Sequence, residues 1–302
     1  MLVLPTLSSA YGASPEWSDS DSAPLLTGRV MPAIGRYRLQ RRIGEGRRST
    51  VWLAQDLESG TLVALKLAAG AAEAPAFSRE FAIGASLGHR HVVRMLEQGA
   101  AGSMPYLAME HVPGGSLVER LGAAVPAAQA VRMLRQAAQA LAQLHVRGLV
   151  HRDVKPANFL VRADGSLALG DFGLATETGT AQAASGGLVG TPRYVSPEQL
   201  QGAPAHAAAD VYSLGVLFHE LLCGRPPFAG ETLMEVLSQH LMATPAPLPA
   251  ALAPLQALAD GMLAKEVDRR LPDAAAVLKQ IEILDRAACV RPSPAGQPAT
   301  GG

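Results

Sequence analysis

The chain has 302 residues, 48% of them hydrophobic, and its 26 Lys and Arg are balanced by 26 Asp and Glu. That length suits about two domains with a substantial core, and the zero net charge gives no electrostatic reason to expect a nucleic-acid or anionic-membrane partner. Cys223 and Cys289 have neither metal-ligand spacing nor the density of a disulfide scaffold, which suits a reducing cytosol.

Residues 1–36 are rich in Ser, Pro, Gly and Asp without a sustained period and read as a flexible leader. Their first residues lack the basic region of a secretory signal, so a cytoplasmic location is expected. Short alternating runs follow at Arg38–Ile43, Val51–Ala54 and Leu62–Leu67, separated by turns; they predict three strands in a meander. A helix is expected over Ala76–Leu87, then strands around Val92–Gln98 and Tyr106–His111. After Gly114-Gly115 the period becomes helical, with Val131, Leu134, Ala138, Leu141 and Leu144 on one face. Asp210–Leu222 is apolar nearly all round, the pattern of a helix buried in a core. It is too short for the roughly 20 residues of a membrane crossing. Asp273 is placed to N-cap a last helix carrying Val277, Ile281 and Leu284. Residues 287–302 read as a loose tail.

Three local patterns carry chemistry. In Ile43-Gly44-Glu45-Gly46-Arg47-Arg48-Ser49-Thr50-Val51, two glycines occupy a turn where a missing Cβ lets backbone N–H groups approach phosphate oxygens. Alone it is an ordinary hairpin turn, and a dinucleotide-binding reading is disfavoured because a strand follows it. Val63-Ala64-Leu65-Lys66 places a Lys on an apolar strand, where its stem commonly just covers apolar surface. His151-Arg152-Asp153-Val154-Lys155-Pro156-Ala157-Asn158 is different in kind. Asp153 can take a hydroxyl proton, Lys155 can neutralise phosphate, and Asn158 can ligate a divalent cation. Thirteen residues beyond Asn158, Asp171-Phe172-Gly173 adds a second hard oxygen ligand. A plain polar turn explains neither that spacing nor the second motif.

This combination resembles the protein kinases, in particular the compact eukaryotic-like Ser/Thr kinases of bacteria. Further matches stand in the family's order: Gly190-Thr191-Pro192-Arg193-Tyr194, Ser196-Pro197-Glu198 in place of Ala-Pro-Glu, Asp210-Val211-Tyr212-Ser213-Leu214-Gly215 and Asp268-Arg269-Arg270. The resemblance implies an α+β, bilobal kinase-like fold over residues 37–286. A small β-rich N-lobe with one main helix (37–111) would join a larger helical C-lobe (117–286) through a hinge at 112–116. It also implies ATP with Mg2+, or Mn2+ as an alternative ion. Ile43, Gly44, Glu45, Gly46, Val51, Ala64, Met109, Glu110, Val112 and Leu160 would surround the nucleotide. Lys66, held by Glu80, would clamp its phosphates. Asp153 and Lys155 would act at the acceptor hydroxyl, and Asn158 and Asp171 would hold the metal. Glu198 would pair with Arg270, Asp210 would hold the backbone of the catalytic loop, and His151 and Phe172 would pack together in an internal column.

The implied partners are proteins with Ser or Thr acceptors, since Lys155 and Thr191 match the Ser/Thr branch. The chain itself would be one such substrate, with Thr176, Thr178, Thr180, Ser185 and Thr191 as candidate acceptors and Arg152 as the anchor the resemblance implies for the phosphorylated residue. Two departures bear on this, Ser49 in place of the third loop glycine and Gly84 on the Glu80 helix, and they would act by weakening nucleotide affinity or loosening the active arrangement. The alternative is a pseudokinase scaffold without turnover. Intact Lys66, Asp153, Asn158 and Asp171 argue against it, and the substrate-facing loop argues against a small-molecule kinase.

Overall fold

A computed structural model describes residues 33–46, 48–181 and 192–290. Most of the expected leader, the tail beyond Val290, and the candidate acceptors Ser185 and Thr191 lie outside them. The chain order opens with β1 (Ala33–Ile34), β2 (Tyr37–Glu45), β3 (Ser49–Asp56) and β4 (Leu62–Ala68), followed by α1 (Ala74–Ser86), β5 (Met95–Ala101) and β6 (Met104–Glu110). These strands form one antiparallel sheet in the order β1-β2-β3-β4-β6-β5. Ala33 and Ile34, expected in the leader, instead pair with Arg38 and Tyr37.

The period-2 geometry of strands decides what this sheet presents to each side. Val63, Leu65 and Leu67 of β4 pack with Tyr37, Leu39, Ala54 and Tyr106 on one face. The alternate residues Ala64, Lys66 and Ala68 therefore point to the other face, where Ala68 meets Phe77 of α1. The same alternation that buries the leucines sends Lys66 toward the helix and the cleft.

The second part comprises α2 (Ala127–His145), β7 (Leu149–Val150), β8 (Phe159–Val161), β9 (Leu167–Leu169), β10 (Thr176–Glu177), α3 (Pro197–Leu200), α4 (Ala207–Cys223), α5 (Leu233–Met242), α6 (Gln256–Leu263) and α7 (Ala274–Val290). Two short antiparallel ribbons, β7–β10 and β8–β9, lie among the helices. The apolar stripe of α2 is buried through Met133, Leu134, Ala138, Leu141 and Leu144. The central α4 is buried all round, as its sequence requires, and packs against α2, α6 and α7. Each large side chain sealed there, such as Leu217 or Phe218, contributes roughly 1.5–3 kcal/mol. Asp273 accepts the Ala276 N–H at 2.8 Å and caps α7, which continues past the expected boundary at 286 to Val290.

Between the two parts, Gly114 donates its N–H to the Val161 carbonyl at 3.0 Å, and Val161 returns the bond to Gly115. A Cβ on Gly114 would lie 2.3 Å from that carbonyl oxygen, so the connection can lie flat on β8 only without a side chain. Among the described residues no helix is long and apolar enough to cross a membrane.

Candidate active site

The site is assembled from four backbone pieces that meet where the sheet faces the helical part. From β4, Lys66 donates to both Glu80 oxygens of α1, at 2.7 and 2.8 Å, and to Asp171 Oδ1 at 3.0 Å. Lys66 and Glu80 are almost entirely enclosed, whereas about half of the Asp171 side chain is open, at 48% exposure. Burial opposes the charge on Lys66, but the Asp171 and Glu80 carboxylates outweigh it and hold the ammonium above its usual pKa. Burial pushes the Glu80 carboxyl up, and the pull of Lys66 does not cancel it. Burial also works against the Asp171 carboxylate, but Lys66 reverses the balance and keeps it below the usual range.

The segment from His151 to Asn158 is held from beneath. Asp210, on the buried α4, accepts the His151 N–H at 2.7 Å and the Arg152 N–H at 2.8 Å. His145, at the end of α2, completes the cradle at 3.0 Å through Nε2. Its Nδ1 accepts from the Ala274 N–H, which fixes the tautomer and leaves Nε2 as the donor. Burial pushes the Asp210 carboxyl up, but these donors more than compensate and hold it low. Nothing local marks His145; only the packing of α2, α4 and α7 brings it there.

Above that cradle, Lys155 Nζ and Asn158 Nδ2 both donate to Asp153 Oδ2, at 2.7 and 2.9 Å. Asn158 Nδ2 also reaches the Asp153 carbonyl at 2.7 Å. Both amide hydrogens of Asn158 are thereby used, and its Oδ1 is left as a free acceptor. Gly170 donates its N–H to the Asn158 carbonyl at 2.9 Å, which ties the backbone of Asn158 to the residue preceding Asp171. Asp171 adopts a left-handed backbone with φ 58°, a conformation that costs a non-glycine residue roughly 1–2 kcal/mol. Phe172 is buried beside His151, with ring centroids 5.6 Å apart in an edge-to-face arrangement.

Gly84 corrects the expectation drawn from it. A Cβ there would lie 2.8 Å from Met95 Cγ and 3.1 Å from Phe172. The absent side chain is the space that Met95 and Phe172 occupy, so the column is closed rather than loosened.

The residues expected to surround a nucleotide lie on β2, β3, β4, β6 and β8, on the turn after β2 and on the connection between the two parts. Val51 lies opposite Lys66, and Ala64 lies opposite Met109. Val112, Val93 and Ala168 form a buried cluster against which Met109 and Leu160 pack. Gly44 pairs with Val51 and Glu45 with Thr50, while Gly46 N–H closes the turn onto the Ser49 carbonyl at 2.8 Å. Ile43 is 39% exposed on the same strand. The Glu110 side chain is not turned toward a ligand. It accepts two bonds from Arg162, at 2.7 and 2.8 Å, and the Arg94 N–H at 2.8 Å, bracing the connection between the two parts. Arg162 escaped the sequence reading because the pairing spans 52 positions.

The donor set fits a nucleotide and a divalent cation. Among the described residues, the Val112 N–H donates to no acceptor although the residue is 8% exposed. Asn158 Oδ1 and Asp171 Oδ2 likewise receive no protein donor. Two hard oxygens do not complete a metal shell; phosphate oxygens and water would supply the rest. No cluster of three or more His, Cys, Asp or Glu able to hold a metal occurs among the described residues.

Further along, Glu198 and Arg270 form a buried bidentate pair at 2.6 and 3.0 Å, as expected. Thr176, Thr178 and Thr180 stand at the start of the segment that leads to α3. Among the described residues, the Arg152 side chain meets no carboxylate.

A bilobal fold with this constellation defines a protein kinase domain. Residues 37–281 match the family described as Protein kinase domain, and the chain belongs to that family. It is similar to a protein named serine/threonine-protein kinases PknA from Corynebacterium glutamicum, with 36% identity over 266 residues, covering 81% of this chain and 55% of that protein. It is also similar to serine/threonine-protein kinase PknB from Mycolicibacterium smegmatis, 37% identical over 258 residues, covering 80% of this chain and 41% of the relative. PknB of Mycobacterium leprae is 38% identical over 227 residues, or 70% of this chain and 36% of the relative. The chain thus spans about half or less of the length of these curated relatives.

Proposed function

We propose that this chain transfers the γ-phosphate of ATP to Ser or Thr hydroxyls of proteins. The observation that carries the reading is the Lys66–Glu80–Asp171 network, which ties the sheet, α1 and the metal-binding motif into one charged cluster. Family membership and the printed names of the relatives support the Ser/Thr class.

In this reading Lys66, oriented by Glu80, grips the α- and β-phosphates. Asn158 Oδ1 and Asp171 hold Mg2+, with Mn2+ as an alternative, and the ion offsets charge on the β- and γ-phosphates when bound. Asp153 has one carboxylate oxygen occupied by Lys155 and Asn158; its Oδ1 is left to orient the acceptor hydroxyl and take its proton. Lys155 neutralises charge beside the transferred group. The adenine edge is recognised by the Glu110 carbonyl and the Val112 N–H, between Val51, Ala64 and Leu160. Positioning and fixed charge supply most of the acceleration. Arg152 then serves as the phosphate anchor for autophosphorylation in the 176–185 segment, because a guanidinium grips phosphate bidentately.

The test is transfer of labelled γ-phosphate, with Mg2+, to the chain itself and to a generic Ser/Thr substrate, with Asp153→Asn alongside. Label on Ser or Thr that vanishes in the variant is the expected result. Nucleotide-dependent thermal stabilisation without label would replace the reading by a pseudokinase scaffold.

A further inference from the structure

Arg152 sits in the left-handed region with φ 67°, which costs a non-glycine residue roughly 1–2 kcal/mol and persists only where its surroundings over-determine it. Its N–H is held by Asp210. Its carbonyl is held by Gln199 of α3, whose Nε2 donates to it at 3.1 Å. That carbonyl belongs to the peptide leading into Asp153, so both ends of the strained residue are pinned immediately before the catalytic carboxylate.

The orientation of Gln199 is itself dictated by its contacts with Ser196. Ser196 is wholly buried and caps α3. The Gln199 N–H donates to Ser196 Oγ at 3.4 Å, and Gln199 Oε1 accepts from the Ser196 N–H and Oγ, both at 3.1 Å. A backbone N–H can only donate, so Oε1 must face Ser196 and Nε2 must face the Arg152 carbonyl, which can only accept. The Ser-Pro-Glu-Gln run is therefore a reciprocal capping box whose fourth residue keeps its side-chain NH2 free to donate elsewhere. That donor crosses 47 positions to the catalytic loop.

We propose that Gln199 is a positioning residue for Asp153, coupling the end of the substrate-facing segment to the geometry of the catalytic loop. Through it, α3 is tied to the Arg152–Asp153 peptide. The role rests on the kinase reading above, in which Asp153 meets the acceptor hydroxyl.

Gln199→Glu separates the two jobs of the side chain. A Glu at this cap position still accepts from Ser196, but it presents no donor, only a carboxylate, to the Arg152 carbonyl. The KM for ATP should stay at its wild-type value while kcat falls about tenfold, the equivalent of ~1.4 kcal/mol on the barrier, and the melting temperature should fall by less than in a variant that also loses the cap. Amide exchange in residues 151–154 should speed up while that of 197–201 does not. The exchange measurement needs no turnover, so it separates failure of this inference from failure of the kinase reading. Gln199→Met, which loses the cap as well, should lower both the melting temperature and kcat. Wild-type kcat in an active Gln199→Glu enzyme, or unchanged exchange in 151–154, would overturn the proposal.

Discussion

Lys66 is the residue on which most of the site converges, because it is the cation between a buried carboxylate and a half-exposed one. Lys66→Met should therefore leave the chain folded and reduce phosphoryl transfer by about 10²–10³-fold, the range for removing one preorganised charge-stabilising donor. Labelled-phosphate transfer beside a thermal melt checks both halves, and unchanged transfer would remove Lys66 from the site. Arg270 makes a contrasting case. Its guanidinium is fully enclosed and also donates to the Ala264, Ala208 and Lys265 carbonyls. Arg270→Met strands Glu198 without its partner, so urea unfolding should register a loss of about 3–5 kcal/mol. Replacing both partners, Glu198→Leu with Arg270→Met, should recover part of that loss.

At the scale of elements, α1 is seated by an exchange of volume between Gly84 and Met95. Gly84→Leu overpacks that contact, which typically costs about 1–3 kcal/mol. Met95→Ala empties it, at about 2–5 kcal/mol. If Met95 fills the space Gly84 leaves, the double variant is more stable than the sum of the two predicts, with a coupling of roughly 0.5–3 kcal/mol. A denaturant series on the four proteins decides this, and strict additivity would show that the two positions do not share that space. Gly84 taken alone suggested a loosened active arrangement; its partner lies eleven positions away on β5, and only the packing of α1 on that strand reveals what fills the space.

For the molecule as a whole, the C-terminal part has a built-in acid limit. His240 is wholly buried, with Nδ1 bonded to the Tyr212 hydroxyl and Nε2 to the Arg193 carbonyl; the Lys265 ammonium donates to the same tyrosine hydroxyl. Burial, reinforced by Lys265, lowers the His240 pKa from 6.5 to about 4. Between those values the unfolded chain binds a proton that the folded chain refuses, so stability falls as pH drops through the interval. The full effect approaches roughly 3 kcal/mol at pH 4. Lys265 is lowered by burial, and by Arg270, from 10.5 to about 8; the unfolded chain then holds the extra proton above pH 8, and stability from this group rises with pH there. Denaturant unfolding at pH 7, 5.5 and 4.5 should show the acid loss, and His240→Gln should flatten it. An equal slope in the variant would place the sensitivity elsewhere.

The catalytic-loop residues, the Asp171 motif, the alternating strands and the buried helix around Val211–Leu222 could be read without coordinates. Their chemistry depends on residue type at short spacing, and their burial on a period of two or 3.6 residues along one element. Glu80 and Arg270 were legible only through the family's order of motifs, since an isolated Glu or Arg on a surface pattern signals nothing. What the tertiary structure alone decided is which distant groups satisfy the strained or charged ones: His145 under Asp210, Arg162 on Glu110, Met95 in the space beside Gly84, and Gln199 on the Arg152 carbonyl. Each is set by how whole elements pack, and side-chain volume and hydrogen-bond direction at such contacts leave no periodic trace along the chain.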